Sequence, residues 1–200
     1  MTKRLIVGLT GASGVLYGIR ALEILKRLEY ETHLILSQAA KATIAQETAW
    51  KVSDVEALAS VAHDPRDIGA AIASGSFQTL GKLIAPCSIK TLSAVAHSYS
   101  ADLMSRAADV CLKEGRPLLL LVRETPLHKG HLRLMLEAAE AGAIIYPPLP
   151  AFYSRPQSID DLVIDTVGRA LARLGIENEA YYHWPGMKED GGPLRETEAE

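Results

Sequence analysis

Residues 5–14 read LIVGLTGASG, an apolar run that ends in a cluster of small residues. Residues 5–9 predict a strand buried on both faces, as in a parallel sheet. Every third residue from Leu16 to Leu25 is then apolar, which predicts a helix. A strand that turns through glycine into a helix N-terminus presents free N–H groups that can bind an anion. The spacing fits neither the dinucleotide fingerprint nor a P-loop, so an ordinary strand–helix turn stays equally open.

Composition and charge narrow the class of protein. The chain has 200 residues, of which 48% are hydrophobic, and this suits one α/β domain with a sizeable core. A formal net charge of −3 gives no basic surface for nucleic acid. Cys87 and Cys111 are too few for a disulfide framework or a zinc cage. Without a signal-peptide pattern or a bilayer-length apolar run, we expect a soluble cytoplasmic protein with no membrane partner.

Strand and helix patterns alternate along the chain. Four further apolar runs have the length of buried strands: residues 32–36, 82–85 (stopped by Pro86), 118–122 and 143–146. The alternation predicts a doubly wound, mostly parallel sheet with helices on both faces, in the flavodoxin-like or Rossmann-like class. We expect one domain over residues 1–187 and disorder in the acidic tail, residues 188–200.

The segment of residues 51–81 is the least regular part. It predicts a short helix near residues 55–59, another around Ile68, and a mobile loop of small residues. Further along, residues 147–156 are rich in proline and predict a stiff extended arm. Such an arm rarely packs on its own domain alone, so we expect it to reach a neighbouring subunit.

Polar residues follow several predicted strands at their carboxyl ends: Ser13, Ser37, Ser88 and Arg123. Ligands of parallel α/β sheets bind at this edge. The recurrence of hydroxyl groups and a cation there indicates a ligand that carries phosphate. Arg123 and Glu124 directly follow the most apolar strand, which favours a functional role over a mutual ion pair.

Charged residues on two later helices have simpler explanations. Arg106, Asp109 and Lys113 share one helix face, and an Asp109–Lys113 surface pair would be worth a few tenths of a kcal/mol. The alternative is a face of two cations for an anion. Arg169 follows Asp165 by one turn, so a local ion pair is its simplest interpretation.

Together these residues resemble the UbiX-type flavin prenyltransferases, once described as aromatic acid decarboxylases. The resemblance covers about residues 4–184. It rests on seven segments: TGASG (10–14), PCS (86–88), RAADV (106–110), LKE (112–114), Pro117, RE (123–124) and FY (152–153).

The resemblance implies a domain that binds reduced FMN and joins a dimethylallyl group from dimethylallyl phosphate to its N5 and C6 atoms, without a metal. The product, prenylated FMN, serves UbiD-type decarboxylases. The family forms dodecamers whose sites draw on several subunits, in agreement with the proline-rich arm.

The resemblance also assigns site residues. Those expected to contact FMN are Gly11, Ala12, Ser13, Ser37, Ser88, Ile89, Lys90, Thr91 and Arg123. Those expected to hold dimethylallyl phosphate are Arg106, Lys113, Glu124, Tyr153 and Arg169. Glu47 and Ser13 would transfer protons, and Trp184 would close over the site.

Physical chemistry agrees with these roles. Cations and hydroxyl groups stabilise a leaving phosphate, and a closed dry site protects an allyl cation from water. Before the resemblance is considered, a solvated surface position is slightly favoured for Glu47. If it is buried near the negative end of its helix, its pKa would be raised and suited to accept a proton.

Two alternatives stay open. One is a flavin-dependent decarboxylase of cysteine-type substrates on a similar fold, although the chain lacks a PASANT-like segment. The other is a non-catalytic FMN carrier, in which Arg106, Lys113, Tyr153 and Arg169 would be surface or packing groups. His128 and His131 could hold a metal, but no acidic third ligand is near in sequence, which favours a solvated first helical turn.

Overall fold

The computed structural model describes residues 3–186, in which six strands form one sheet. The strands are β1 (Arg4–Leu9), β2 (Glu31–Leu36), β3 (Val61–His63), β4 (Lys82–Cys87), β5 (Leu118–Val122) and β6 (Ile144–Ile145). Their order is β3-β2-β1-β4-β5-β6, and every pairing is parallel. The order reverses next to β1, so the topological switch lies between β1 and β4.

Helices cover both faces of the sheet. They are α1 (Val15–Arg27), α2 (Gln38–Glu47), α3 (Val52–Glu56), α4 (Ile89–Ala96), α5 (Leu103–Lys113), α6 (Lys129–Glu140) and α7 (Ile159–Arg173). One buried cluster joins β1, β2 and β4 to α1 and α7, and a second joins the other face of the sheet to α4 and α5. The predicted doubly wound, flavodoxin-like α/β architecture is confirmed.

Hydroxyl and carboxylate side chains cap the starts of α2, α4, α5 and α7. The Oγ atoms of Ser37 and Ser88 accept hydrogen bonds from the N–H groups of Ala40 (3.0 Å) and Thr91 (3.4 Å), at the starts of α2 and α4. Capping boxes also begin α5 and α7. Each cap satisfies an N–H group that has no partner inside the helix, and so fixes where the helix leaves the carboxyl edge of the sheet.

The segment of residues 51–81 differs most from its prediction. The first helix begins and ends earlier than expected, as α3, and the helix around Ile68 is wrong, because a 3-10 turn at Ala71–Ala73 follows instead. The sequence analysis also missed β3, a three-residue edge strand that pairs only with β2. Such a strand is too short to show an alternating pattern.

The remaining strands follow their predictions closely. One difference is that β4 continues through Pro86 to Cys87, with a register shift against β5 between Ile84 and Cys87. Within residues 3–186, no helix has the length and hydrophobicity needed to cross a bilayer. The predicted disorder of residues 188–200 lies outside the described residues, and the single-domain assignment stays a prediction.

Candidate functional site

A cavity of about 1080 Å³ opens at the carboxyl edge of the sheet, beside the turns that follow β1, β2 and β4. Five residues expected to contact FMN line it: Gly11, Ser37, Ser88, Lys90 and Thr91. Met104, Tyr99 and Ala94 add an apolar wall. Hydroxyl groups, a lysine and two helix N-termini suit a phosphate, and the apolar wall suits a ring system. The lining therefore fits a phosphate-bearing aromatic ligand such as FMN.

Thr10 fixes the floor of this cavity. Its buried hydroxyl donates to the carbonyl of Pro86 (2.7 Å) and accepts from the N–H of Ser88 (2.8 Å). The side chain therefore joins the carboxyl ends of β1 and β4 and sets the turn into α4. The sequence analysis quoted Thr10 only as part of a motif, because a bridging role needs the pairing of β1 with β4.

The glycine turn after β1 binds an anion, and that anion is a side chain of the protein itself. Glu47, the last residue of α2, accepts hydrogen bonds through Oε2 from the N–H groups of Gly14 (2.8 Å) and Val15 (3.3 Å). Gly14 has φ = 96° in the left-handed region, which aims these donors outward. Glu47 is therefore exposed, as a surface residue would be, but its carboxylate is held by backbone donors.

The expected rise of the Glu47 pKa is wrong. Partial burial does favour the neutral carboxyl group, but hydrogen bonds from the Ser13 hydroxyl and from the N–H groups of Gly14 and Val15 outweigh it. Arg123 adds a favourable charge, so the pKa lies below its usual range. The sequence analysis considered only the negative end of α2, whereas the carboxylate reaches the positive end of α1. Glu47 is an ionised base in this arrangement.

A second group of site residues lies on α7 and the segments beside it. The guanidinium of Arg169 donates from its NH1 group to the hydroxyl of Tyr153 (2.8 Å). The predicted local pair of Arg169 with Asp165 is wrong, because Asp165 accepts from the backbone N–H of Tyr182 (2.8 Å). The ring of Trp184 lies edge-on to Tyr153, with their centroids 5.5 Å apart. Tyr153, Arg169 and Trp184 thus form one exposed cluster, as the resemblance implies.

Arg106 and Lys113 have partners other than the ones expected. Arg106 pairs with Asp109 (3.1 Å), and Lys113 pairs with Glu114 instead of Asp109. Arg106 and Lys113 lie on α5, which packs on the opposite face of the sheet from α7. Lys113 ends α5 before β5 begins, so it lies toward the amino edge of the sheet. One chain therefore does not bring these cations to Tyr153 and Arg169.

The other predicted residues surround the carboxyl edge. Arg123 donates its backbone N–H to the carbonyl of Cys87 (3.1 Å), and Glu124 accepts from the N–H of Thr125 (3.0 Å). Ala12 follows Gly11 in the turn after β1, while Ile89 packs on the core beside α4. Burial raises the pKa of the Cys87 thiol to about 12, which suits a core position and not a nucleophile.

Comparison with known proteins identifies the family. The sequence matches the Flavoprotein family over residues 1–163. The flavin prenyltransferase UbiX of Escherichia coli K12 is 58% identical over 187 residues, which cover 92% of this chain and 99% of that relative. This chain belongs to the UbiX family of flavin prenyltransferases.

Solved structures of UbiX-type proteins agree. AnUbiX (PadA1), in complex with FMN and dimethylallyl pyrophosphate, has a TM-score of 0.92 at 46% identity and covers 94% of this chain and all of its own. The dodecameric FMN-dependent UbiX-like decarboxylase of Escherichia coli O157:H7 has a TM-score of 0.89 at 46% identity, over 92% of this chain and all of its own. An FMN-dependent cysteine decarboxylase, TvaF, is 13% identical with a TM-score of 0.57, which shows the fold alone.

Several residues near the candidate site of this UbiX-family chain could not be recognised from the sequence. Tyr17, one turn into α1, lies near enough to Arg123 for that charge to lower its pKa, although burial, the larger effect, raises it. Asp102, Met104 and Ser105, at the start of α5, also line the carboxyl-edge cavity. No local pattern marks these residues, because they reach the cavity through the packing of α5 beside α4. Across residues 3–186, no group of three or more His, Cys, Asp or Glu side chains could hold a metal ion.

Proposed function

We propose that this protein is a flavin prenyltransferase that joins the dimethylallyl group of dimethylallyl phosphate to N5 and C6 of reduced FMN. The observation that carries the proposal is the 58% identity to a flavin prenyltransferase over 92% of the chain. The carboxyl-edge cavity, the Glu47 site at the turn after β1 and the exposed Tyr153–Arg169 pair supply side chains that such a reaction needs.

We place FMN in the carboxyl-edge cavity. The hydroxyl groups of Ser37, Ser88 and Thr91, with the amine of Lys90, would hold its phosphate and ribityl chain, and Met104 would pack on its rings. Gly11, Ala12, Ser13, Ile89 and Arg123 would complete the contacts. When bound and reduced, FMN supplies the nucleophilic atoms that accept the prenyl group.

The Tyr153–Arg169 pair would bind the phosphate of the prenyl donor. Its hydroxyl and guanidinium lie 2.8 Å apart and are exposed, so both can reach one phosphate group. Negative charge develops on that group as the allyl carbon–oxygen bond breaks, and cations placed beforehand stabilise it. Trp184, packed on Tyr153, would exclude water from the allyl group.

Further phosphate-binding groups would come from other copies of the chain. Arg106 and Lys113 lie on α5, away from α7, so they can meet Tyr153 and Arg169 only across a subunit boundary. We include Glu124 in this set and propose a dodecamer, as in the relative from Escherichia coli O157:H7.

Proton transfer would use Glu47 and Ser13. Joining C6 to the prenyl group leaves a proton that must be removed. Glu47 is ionised and is held by the hydroxyl of Ser13 and the N–H groups of Gly14 and Val15. Its carboxylate can therefore accept the proton at a fixed position at the turn after β1. We further propose that the prenylated flavin is passed to a UbiD-type decarboxylase; the cytoplasmic location stays a prediction.

The direct test is to incubate the purified protein anaerobically with reduced FMN and dimethylallyl phosphate, and then to measure the mass of the flavin by mass spectrometry. We expect the flavin mass to rise by one dimethylallyl unit and inorganic phosphate to be released in equal amount. A parallel reaction with dimethylallyl diphosphate identifies the preferred donor. An unchanged flavin with both donors contradicts the proposal and supports a carrier. Release of carbon dioxide from a peptide with a C-terminal cysteine would instead support the decarboxylase alternative.

A further inference from the structure

Arg116 follows the end of α5 and holds a loop that is distant from it in sequence. Its side chain is half-buried, and its guanidinium donates to the carbonyl oxygens of Phe77 (2.6 Å) and Gly75 (2.7 Å). A planar guanidinium can satisfy two fixed acceptors at once, which a lysine ammonium does less well. Both bonds go to main-chain atoms, so Arg116 fixes the backbone of this loop.

The loop that Arg116 holds, residues 73–77 (ASGSF), lies against two cations of the proposed phosphate site. Arg106 donates through Nε to the carbonyl of Ala73 (3.2 Å). Gly75 lies so close to the Lys113–Glu114 ion pair that an added Cβ would collide with the Glu114 carboxylate and stand 2.8 Å from the Lys113 amine. The loop backbone therefore binds Arg106 and packs against the Lys113–Glu114 pair.

Three N–H groups, one from Arg106 and two from Arg116, thus attach one irregular loop to α5 and to the residues that follow it. Gly75, with Ser74 and Ser76 on either side, has no side chain that packs in the core, and both serines are exposed. Phe77 packs on the core at one end of the loop, and its N–H donates to the carbonyl of Ser74 (3.2 Å), but the guanidinium bonds are what tie the loop to α5. Without them the loop would sample more backbone conformations. The positions of Arg106 and Lys113 would then be less well defined.

Resting on the proposed function, we propose that Arg116 is a positioning residue for the prenyl-donor phosphate: it fixes the 73–77 loop, which holds Arg106 and Lys113 in place. Arg116 does not touch the donor. Its loss should therefore weaken use of the donor while FMN, which binds at the carboxyl edge, is held as before.

The test compares Arg116→Gln, Arg116→Lys and a control, Arg133→Gln, which removes the same charge from an exposed position on α6. Steady-state kinetics give KM for dimethylallyl phosphate and kcat, and flavin fluorescence gives Kd for FMN. We expect KM to rise about tenfold in Arg116→Gln, because small displacements of binding groups are costly. Arg116→Lys should recover little of this, since one ammonium cannot span both carbonyls. The control should match wild type in all three quantities.

Gly75→Ala disturbs the same loop where it packs against Glu114. This variant keeps the proposal testable if Arg116→Gln does not fold. It should also raise KM for the donor, and the double variant should be less impaired than the product of the two single effects. Unchanged KM in both variants overturns the proposal. Equal losses of kcat, donor use and FMN affinity also overturn it, because they indicate general damage.

Failure of the proposed function itself gives a different result. A wild-type protein that prenylates no flavin removes the kinetic readout and the role toward the donor, but it leaves the claim that Arg116 fixes the 73–77 loop. Hydrogen exchange of the amides of residues 74–77 then decides, because it should be faster in Arg116→Gln and unchanged in Arg133→Gln. Equal protection of this loop in wild type and Arg116→Gln would show that Arg116 does not fix it.

Discussion

The backbone of Glu47 ends α2, and its side chain binds the N-terminus of α1. Its carboxylate takes the position at the α1 N-terminus where an anionic ligand could otherwise bind, 2.8 Å from the N–H of Gly14. The macrodipole of α1 and the Ser13 hydroxyl both favour the charged form. One interaction therefore joins two helices and keeps a base ionised at the turn after β1.

The Glu47→Gln variant tests both consequences. Product formation should fall by about two orders of magnitude, in the range that a positioned general base contributes, while FMN affinity changes little. The free energy of unfolding at pH 7 should fall by about 0.5–1 kcal/mol, because a charge at a helix N-terminus is lost. Single-turnover assays with flavin fluorescence, and urea unfolding, give the three quantities.

The sign of the pH effect follows from the lowered pKa. The folded pKa of Glu47 lies below the ordinary 4.5, so its stabilising effect is present above pH 4.5 and disappears as the pH falls through the folded pKa. The difference in unfolding free energy between wild type and Glu47→Gln should therefore shrink at acidic pH. Glu140→Gln, at the end of α6, is the matched control. A Glu47→Gln variant as active as wild type would exclude Glu47 from proton transfer.

At the scale of elements, the junction between β1 and β4 depends on Thr10. Its hydroxyl satisfies a buried carbonyl on one side and a buried N–H on the other. Thr10→Val keeps the shape, and the carbonyl of Pro86 still accepts from the backbone N–H of residue 10 (3.3 Å), but the N–H of Ser88 loses its partner, which costs about 1–3 kcal/mol. We also expect weaker FMN binding, because the turn at Ser88 loses its support.

Urea unfolding and flavin titration measure the effect of Thr10→Val. The control is Thr43→Val, because the Thr43 hydroxyl donates only to the carbonyl of Ala39, one turn back on α2. Wild-type stability in Thr10→Val would contradict the assigned role. Lost stability with unchanged FMN affinity would separate the fold from the site.

The sequence predicted those elements whose signal is local. The buried strands β1 and β5, and the helices begun by Ser37, Ser88 and Ser158, carry their pattern within a few residues. Edge strand β3 depends on pairing with β2, which no local pattern encodes. Lys82 is another such case: it is fully buried and donates to the Met104 carbonyl (2.6 Å), and burial lowers its pKa to about 8.

The candidate site shows the same limit. The turns after β1, β2 and β4 were predicted to form part of it because parallel strands share a carboxyl edge. The partners of Lys113 and Arg169 were not, since Lys113 pairs with its sequence neighbour Glu114 and Arg169 with Tyr153 on another segment, instead of with a residue one turn away. The predicted shift of the Glu47 pKa had the wrong direction for the same reason, because the carboxylate binds the N-terminus of another helix.

At the scale of the whole molecule, two charged surfaces face away from each other. Tyr153 and Arg169 belong to the face covered by α1 and α7, and Lys113 to the face covered by α4 and α5. If one phosphate contacts both surfaces, each site must combine different copies of the chain. Inactive variants with defects on different surfaces should then complement each other.

Arg169→Gln and Lys113→Gln provide this test. Each alone should prenylate FMN poorly, but co-expression should place both wild-type surfaces at about a quarter of the sites and restore that share of activity. Co-expressed Arg169→Gln and Tyr153→Phe are the control and should stay inactive, because both defects lie on one surface, 2.8 Å apart in wild type. Tandem affinity tags select mixed oligomers for the assay. Activity no greater than that of the separate variants would mean that Lys113 does not act across a subunit boundary, and the phosphate would then be bound by Tyr153 and Arg169 without it.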